Sequence, residues 1–151
     1  MRPTAKEFWD RRAAVYDADA GVFYREAYEK TTACMRKYLK PTDTVLDFAC
    51  GTGIVTLSLS PDVKELRGID ISDEMIRRAQ GKAAAQGIAN VLLTQTDLFD
   101  ASLAPASFDA VLACAMCCSM SSSARRCSRA FARSCARAGC SSPRPTVSAW
   151  G

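Results

Sequence analysis

The chain has 151 residues, 48% of them hydrophobic and 24% charged, with a net charge of +4 and no histidine. That length permits one domain and no more. No stretch approaches the ~20 consecutive apolar residues of a membrane span, and the lack of histidine removes the commonest metal ligand and general base.

Residues 1–40 read as a helical cap. Phe8-Trp9 and Val15-Tyr16 fall at helical spacing around Ala13-Ala14, and Phe23, Ala27, Met35, Tyr38 and Leu39 form a second amphipathic stretch. Pro41-Thr42-Asp43 breaks the helical pattern. An apolar run, Thr44-Val45-Leu46, then ends on a carboxylate in Asp47-Phe48-Ala49-Cys50-Gly51-Thr52-Gly53 before a helix opens at Ile54-Val55-Thr56-Leu57. A buried strand turning through small residues into a helix N-terminus is a cradle for a nucleotide-like ligand.

A second strand, Leu66-Arg67-Gly68-Ile69, ends on Asp70, and Ser72 caps a helix that begins with Asp73-Glu74 and runs to about Gln86, where Gly87 stops it. A third strand, Val91-Leu92-Leu93-Thr94-Gln95, leads into Thr96-Asp97-Leu98-Phe99-Asp100. The fourth spans Phe108 to Ala113, with Asp100 and Asp109 as solvated turn residues. Strands alternating with helices predict an α/β fold, a Rossmann-like parallel sheet sandwich incomplete at its C-terminus and carrying an N-terminal helical cap.

The acids decide which ligand the cradle takes. In a dinucleotide fingerprint a third glycine follows the second by three positions, and here that position is Thr56. A carboxylate at the strand tip suits an ammonium better than a pyrophosphate, so S-adenosylmethionine is favoured over a nicotinamide dinucleotide.

Val45 to Gly53 resembles the first motif of the class I S-adenosylmethionine-dependent methyltransferases, and the resemblance extends over residues 5–113. Ala49 stands where that family usually has its first glycine. The resemblance implies cofactor contacts from Asp47, Ala49, Cys50, Gly51 and Gly53 and from Asp70, which accepts the ribose hydroxyls. It also implies Ile71 against the adenine, Asp97 on its amino group with Leu98 beside it, and backbone at Ala113 near the methionine. N-terminal helices fold over the cofactor in such proteins, which brings Tyr16 toward it. The implied sheet order is 3-2-1-4-5. The implied activity is methyl transfer to a small-molecule acceptor, and no residue stands out as a catalytic base. Cys50 is read as a small packing residue rather than a nucleophile, since nothing beside it would activate a thiol.

Residues 41–113 thus form the cofactor-binding core, and from Cys114 to Gly151 the chain changes character. This segment has no Asp, Glu, Lys, Leu or Ile, yet holds six of the eight cysteines and six arginines, whereas residues 1–113 carry 14 basic and 16 acidic groups. Shifted by one codon position, Met116-Cys117-Cys118 reads Val-Leu, and Ala136 to Ser142 can read Pro-Gly-Gly-Leu-Leu-Ile-Ser. The expectation is a reading-frame slip near Cys114 to Met116, with 114–151 an out-of-frame tail. The alternatives are a truncated pseudoenzyme that only binds the cofactor and an arginine-rich nucleic-acid-binding module. Nucleic acid is disfavoured because the tail has one Phe and one Trp for stacking. A metal site is disfavoured too, because Cys114-Ala115-Met116-Cys117 has no second, equally spaced pair. With no apolar secretory core at the N-terminus, the cysteines read as reduced cytoplasmic thiols.

Overall fold

The structure, a computed structural model, describes residues 3–96 and 108–113. Helix α1 (Ala5–Phe23) opens with a capping box: the Thr4 hydroxyl accepts from the Glu7 backbone N–H, and the Glu7 carboxylate accepts from that of Thr4 at 2.8 Å. Helix α2 (Arg25–Arg36) follows after Tyr24, which ends one helix and begins the next.

That break changes the expected second stripe. Phe23 is 73% exposed and Ala27 is also exposed, while Tyr28, Thr32, Met35 and Leu39 turn inward. The helical phase restarts at Arg25, so the buried face follows the 4-3-4 spacing from residue 28 instead of one counted from Phe23.

Four strands, β1 (Thr44–Phe48), β2 (Glu65–Asp70), β3 (Val91–Gln95) and β4 (Ala110–Ala113), pair in parallel in the order β3-β2-β1-β4. This is the expected order, and the α/β class is as expected. Helix α3 (Ile54–Leu59) follows β1, with a 3-10 turn over Ser60–Asp62, and α4 (Asp73–Ala85) joins β2 to β3. Ser72 caps α4 as expected, its hydroxyl accepting from the Met75 N–H at 3.1 Å.

The fourth strand begins at Ala110, two residues later than expected, because Asp109 does other work. Its carboxylate accepts from the Thr44 N–H and its own N–H donates to the Thr44 carbonyl, both at 2.8 Å. Asp109 is therefore exposed but not merely solvated: it fixes where β4 starts against β1.

Val45, Leu66 and Val91 lie abreast in the sheet, and Gly68 and Leu93 lie abreast two residues further on, so all five share one face. That face carries the core. Val45, Leu66 and Leu112 pack with Val55 and Leu59 of α3, and Leu93 packs with Ile76, Ala79 and Ala83 of α4. Leu46 and Ile69, of opposite parity, are buried as well, as expected of parallel strands covered on both faces. Gly68 must stay small. A Cβ there would stand 2.7 Å from Leu93 Cδ2 and 3.0 Å from Cys50 Sγ, so the glycine lets the loop after β1 lie against β2.

That loop runs from Ala49 to Gly53 and turns through three left-handed residues, Ala49 (φ 56°), Gly51 (φ 57°) and Gly53 (φ 77°). Two are glycine, but Ala49 carries a Cβ into a conformation that costs a non-glycine residue about 1–2 kcal/mol. The alanine seen in the sequence as a departure is thus a strained position. Ala49→Gly should stabilise the protein by about 0.5–1 kcal/mol, the strain relieved less the added freedom of the unfolded chain. Denaturant unfolding monitored by circular dichroism checks this, and a lower midpoint would contradict it.

Candidate cofactor site

The parallel sheet brings the C-terminal ends of β1, β2 and β4 side by side, and Phe48 pairs with Ile69 on one flank and Ala113 on the other. The loop after β1 is held down from the β2 side. Cys50 N–H donates to the Ile69 carbonyl at 3.0 Å, and Gly51 N–H donates to one Asp70 carboxylate oxygen at 2.9 Å. The other Asp70 oxygen accepts from Ser72 N–H at 2.9 Å. Asp70 therefore ties the two strand-end loops together, and its burial pushes its carboxyl above the ordinary range despite those bonds.

Asp47 is the most deeply buried carboxylate of the site. It is 1% exposed, on the α3 face of the sheet, where the Thr56 hydroxyl donates to its Oδ2 at 2.5 Å. Its Oδ1 is buried without a hydrogen-bond partner. Desolvation, set against the Thr56 bond and reinforced by the charge of Asp70, raises its pKa to about 7. A small, partly open pocket lies beside it, lined among the described residues by Tyr16, Tyr28, Asp47, Ala49, Cys50, Thr52, Ile54 and Val55. An orphaned carboxylate oxygen bordering a pocket fits a cationic ligand end, since burial without a partner costs several kcal/mol that an ammonium would offset. Burial and the neighbouring Asp47 and Asp70 push the Cys50 thiol well above its ordinary value, so Cys50 is a neutral wall.

Helix α1 is fastened across the cradle at two points. Asp10 accepts from the Ser72 hydroxyl at 2.6 Å and from the Glu74 N–H at 3.3 Å, at the start of α4. Seven residues on, Asp17 accepts from the Thr52 hydroxyl in the β1 loop at 2.5 Å and from Lys82 at 2.8 Å. Between these anchors the Tyr16 ring lies over the loop, its Cε1 4.0 Å from where a Gly51 Cβ would be. Trp9 meets Tyr16 edge-on, with ring centroids 6.2 Å apart.

Of the residues singled out from the sequence, Asp47, Ala49, Cys50 and Tyr16 border one pocket, Gly51 and Gly53 shape its loop, and Asp70 holds that loop. Ile71 sits in the turn after β2, its carbonyl accepting from the Gln95 side chain at 3.2 Å. Ala113 ends β4 beside Phe48 and is exposed. Asp97 and Leu98, and the whole of residues 114–151, lie outside the described residues. Sequence reasoning did not single out Tyr28, nor the latching roles of Asp10, Asp17 and Thr52. It noticed Thr56 only as a missing glycine, although a hydroxyl nine residues after a strand-end carboxylate, in the first turn of the next helix, was a signal for its bond to Asp47. Among the described residues no group of three or more His, Cys, Asp or Glu could hold a metal ion, and no helix is long and apolar enough to cross a membrane.

Known proteins resemble this chain in sequence and in fold. The family model described as a methyltransferase domain matches residues 45–139, a span that continues beyond the described strands. The chain is 36% identical over 95 residues to a ribosomal protein L11 methyltransferase of Haemophilus ducreyi, covering 60% of this chain and 32% of that one. It is 31% identical over 108 residues to nocamycin O-methyltransferase of Saccharothrix syringae, covering 70% and 38%. It thus spans about a third of the length of these curated relatives. In fold it is similar to a phosphoethanolamine N-methyltransferase of Haemonchus contortus, solved with phosphoethanolamine and S-adenosylhomocysteine. That match has a TM-score of 0.60 at 19% identity, covering 72% of this chain and 24% of that one. The chain belongs to the methyltransferase-domain family, and its fold is that of the class I S-adenosylmethionine-dependent methyltransferases.

Proposed function

We propose that the protein binds S-adenosylmethionine in the cradle above β1 and β2 and transfers its methyl group to a small-molecule acceptor. The observation that carries this reading is the buried Asp47 oxygen with no partner, at the edge of a pocket walled by small and aromatic residues. When bound, the cofactor supplies an electrophilic methyl group on a sulfonium, open to in-line displacement by an oxygen, nitrogen or carbon nucleophile. The chain's own part is to hold the donor aligned, which can supply much of the rate.

Asp47 takes the cofactor's ammonium on Oδ1 while Thr56 keeps the carboxylate oriented. Asp70 takes the ribose hydroxyls: each of its oxygens already accepts one backbone N–H and keeps a further lone pair for a hydroxyl donor. Ile71 flanks the adenine, Asp97 and Leu98 meet its amino edge, and the Ala113 backbone borders the methionine. A small acceptor is supported by the acidic balance of residues 1–113, which does not favour a phosphate backbone. The resemblance to nocamycin O-methyltransferase supports it further. A protein acceptor is the second reading, favoured by the resemblance to the ribosomal protein L11 enzyme.

The raised Asp47 pKa gives a signed pH dependence. The folded protein holds a proton that the unfolded chain, near 4, has lost, so this group's contribution to stability falls as pH rises from about 4 through about 7. Ligand binding runs the other way, because the ammonium needs the carboxylate. Affinity for S-adenosylhomocysteine should rise up to about tenfold per pH unit between pH 5 and about 7 and then level off, with Asp70 acting in the same direction. Asp47→Asn should bind at least about tenfold more weakly at pH 8 and lose most of this slope, yet unfold at equal or higher denaturant concentration than the parent there. Calorimetric titration across pH checks the first part, and a parent profile that is flat below pH 7 would remove the ammonium assignment.

For the ribose contact, Asp70→Ala should weaken binding by about 1.5–3 kcal/mol, the range for hydrogen bonds to a charged acceptor. An analogue lacking the ribose hydroxyls should lose little further in that variant. Equal losses for the analogue in both proteins would show that Asp70 acts only on the loop.

The acceptor class is tested with a methyl-labelled donor offered in parallel to a fractionated small-molecule extract, ribosomal proteins and total RNA. Label is expected in the small-molecule fraction, and label in ribosomal protein or RNA instead would overturn that assignment.

A further inference from the structure

Helix α1 carries an apolar stripe on each of two faces. The inner one, Trp9, Ala13, Tyr16 and Ala20, follows a 4-3-4 spacing and turns toward the cradle and α4, with Ala13 and Ala20 buried. On the opposite face Phe8, Arg11, Val15, Ala18 and Val22 follow the 3-4-3-4 spacing of a seam between two helices. That seam is open: Val15 is 46% and Val22 75% exposed, and Arg11 and Ala18 are exposed beside them. One buried stripe is enough to hold a surface helix on its core. A second stripe with the period of helix pairing calls for a second helix.

The flanks of the seam identify that helix. Arg12 and Asp19 border it on one side and Ala14 and Gly21 on the other, each pair seven residues, or about two turns, apart. Within the chain Arg12 reaches along the helix to the Asp19 carboxylate at 2.5 Å, and both side chains stay partly in water. An added Cβ at Gly21 would meet nothing within 4 Å, so contacts within the chain do not call for glycine there, although glycine is a poor helix former. A two-fold axis perpendicular to α1, crossing it between Tyr16 and Asp17, lays each flank against itself in reverse. Arg12 then faces the partner's Asp19, and Asp19 faces the partner's Arg12. Ala14 and Gly21 meet as small residues that let the two helices come close. In the seam itself Val15 packs beside the partner's Ala18, and Val22 beside the aliphatic stem of the partner's Arg11. A parallel pair would instead set Arg11 against its own copy, like charge against like. We infer that the outer face of α1 is a homodimer interface, in which two copies of the chain pair their first helices antiparallel across Val15, Ala18 and Val22 and exchange the Arg12–Asp19 ion pair.

A single helix seam is small for a specific interface, so the dimer is concentration-dependent. Sedimentation equilibrium of the 151-residue chain should show the mass rising from one chain toward two between about 1 and 300 µM. Arg12→Asp and Asp19→Arg each set like charges opposite one another across the axis, and each should weaken association at least about tenfold. Mixed in equal amounts, the two variants present opposite charges to each other and should associate about as tightly as the parent. Val22→Glu probes the apolar seam without touching the ion pair and should also weaken association at least about tenfold. These side chains are exposed or half-exposed, and circular dichroism checks that each variant keeps the parent's fold; should a charge variant fail to fold, Val22→Glu decides alone. A parent that stays monomeric throughout overturns the inference, as does a dimer indifferent to Val22→Glu or a mixture that associates no more tightly than its two components.

Discussion

A carboxylate buried at the end of the central strand is the constraint on which the rest of the site depends. Asp47 lies at the tip of β1 with one oxygen satisfied by Thr56 and the other by nothing. Leaving such a group in a low-dielectric interior costs several kcal/mol, partly avoided by the raised pKa. The surrounding sheet offsets that cost. Val45, Leu59 and Leu66 are fully buried within two turns or strands of the acid, and the parallel register keeps the strand end from relaxing toward water. The core thus supports a local defect, and the defect is where a cationic ligand would be bound most strongly.

Around that acid the hydrogen bonds form a chain. Asp10 holds Ser72, Ser72 N–H meets Asp70, Asp70 holds Gly51, and the next residue, Thr52, reaches Asp17, which also meets Lys82. Both strand-end loops and α1 are therefore one network. Individually the exposed members contribute little, as the half-exposed Asp17–Lys82 pair illustrates. Their joint effect is on geometry: loops already tied to each other lose less freedom when a ligand arrives. The strain at Ala49 is consistent with this, since a left-handed alanine persists only where neighbours on both sides fix the path of the loop.

The strands and the helix capped by Ser72 were legible in the sequence because each rests on a local pattern, an apolar run, a hydroxyl before acids or a carboxylate at a strand end, whereas the sheet order came from the family resemblance alone. What was not legible depends on contacts far apart in the chain. Asp10 meets Ser72 across 62 residues, Asp17 meets Thr52 across 35, and Thr44 meets Asp109 across 65. A lone Asp on a helix says nothing about which loop will lie beneath it until the sheet has placed both. The stripe of α2 was misjudged for a related reason. A periodicity that runs through Tyr24, where the helix breaks, puts Phe23 and Ala27 on the face that Tyr28 and Thr32 occupy. Tyr28 was overlooked with it, because a tyrosine looks like packing until its hydroxyl is seen against Tyr16.

Charge explains why this loop suits one class of adenosine ligand over another. A pyrophosphate laid over the β1 loop would bring its negative charge against Asp47, which Thr56 holds in place and which no lysine or arginine among the described lining residues neutralises. At 4–5 Å in a partly dry site such a repulsion amounts to a few kcal/mol, more than the backbone N–H groups of a short loop would return. An ammonium in the same position meets attraction of that size instead. Thr56 has a second consequence, because the residue that departs from the dinucleotide fingerprint is also the one that orients the carboxylate. Thr56 thus departs from the fingerprint at its helix-packing position and, from there, holds the carboxylate that repels a pyrophosphate and attracts a cation.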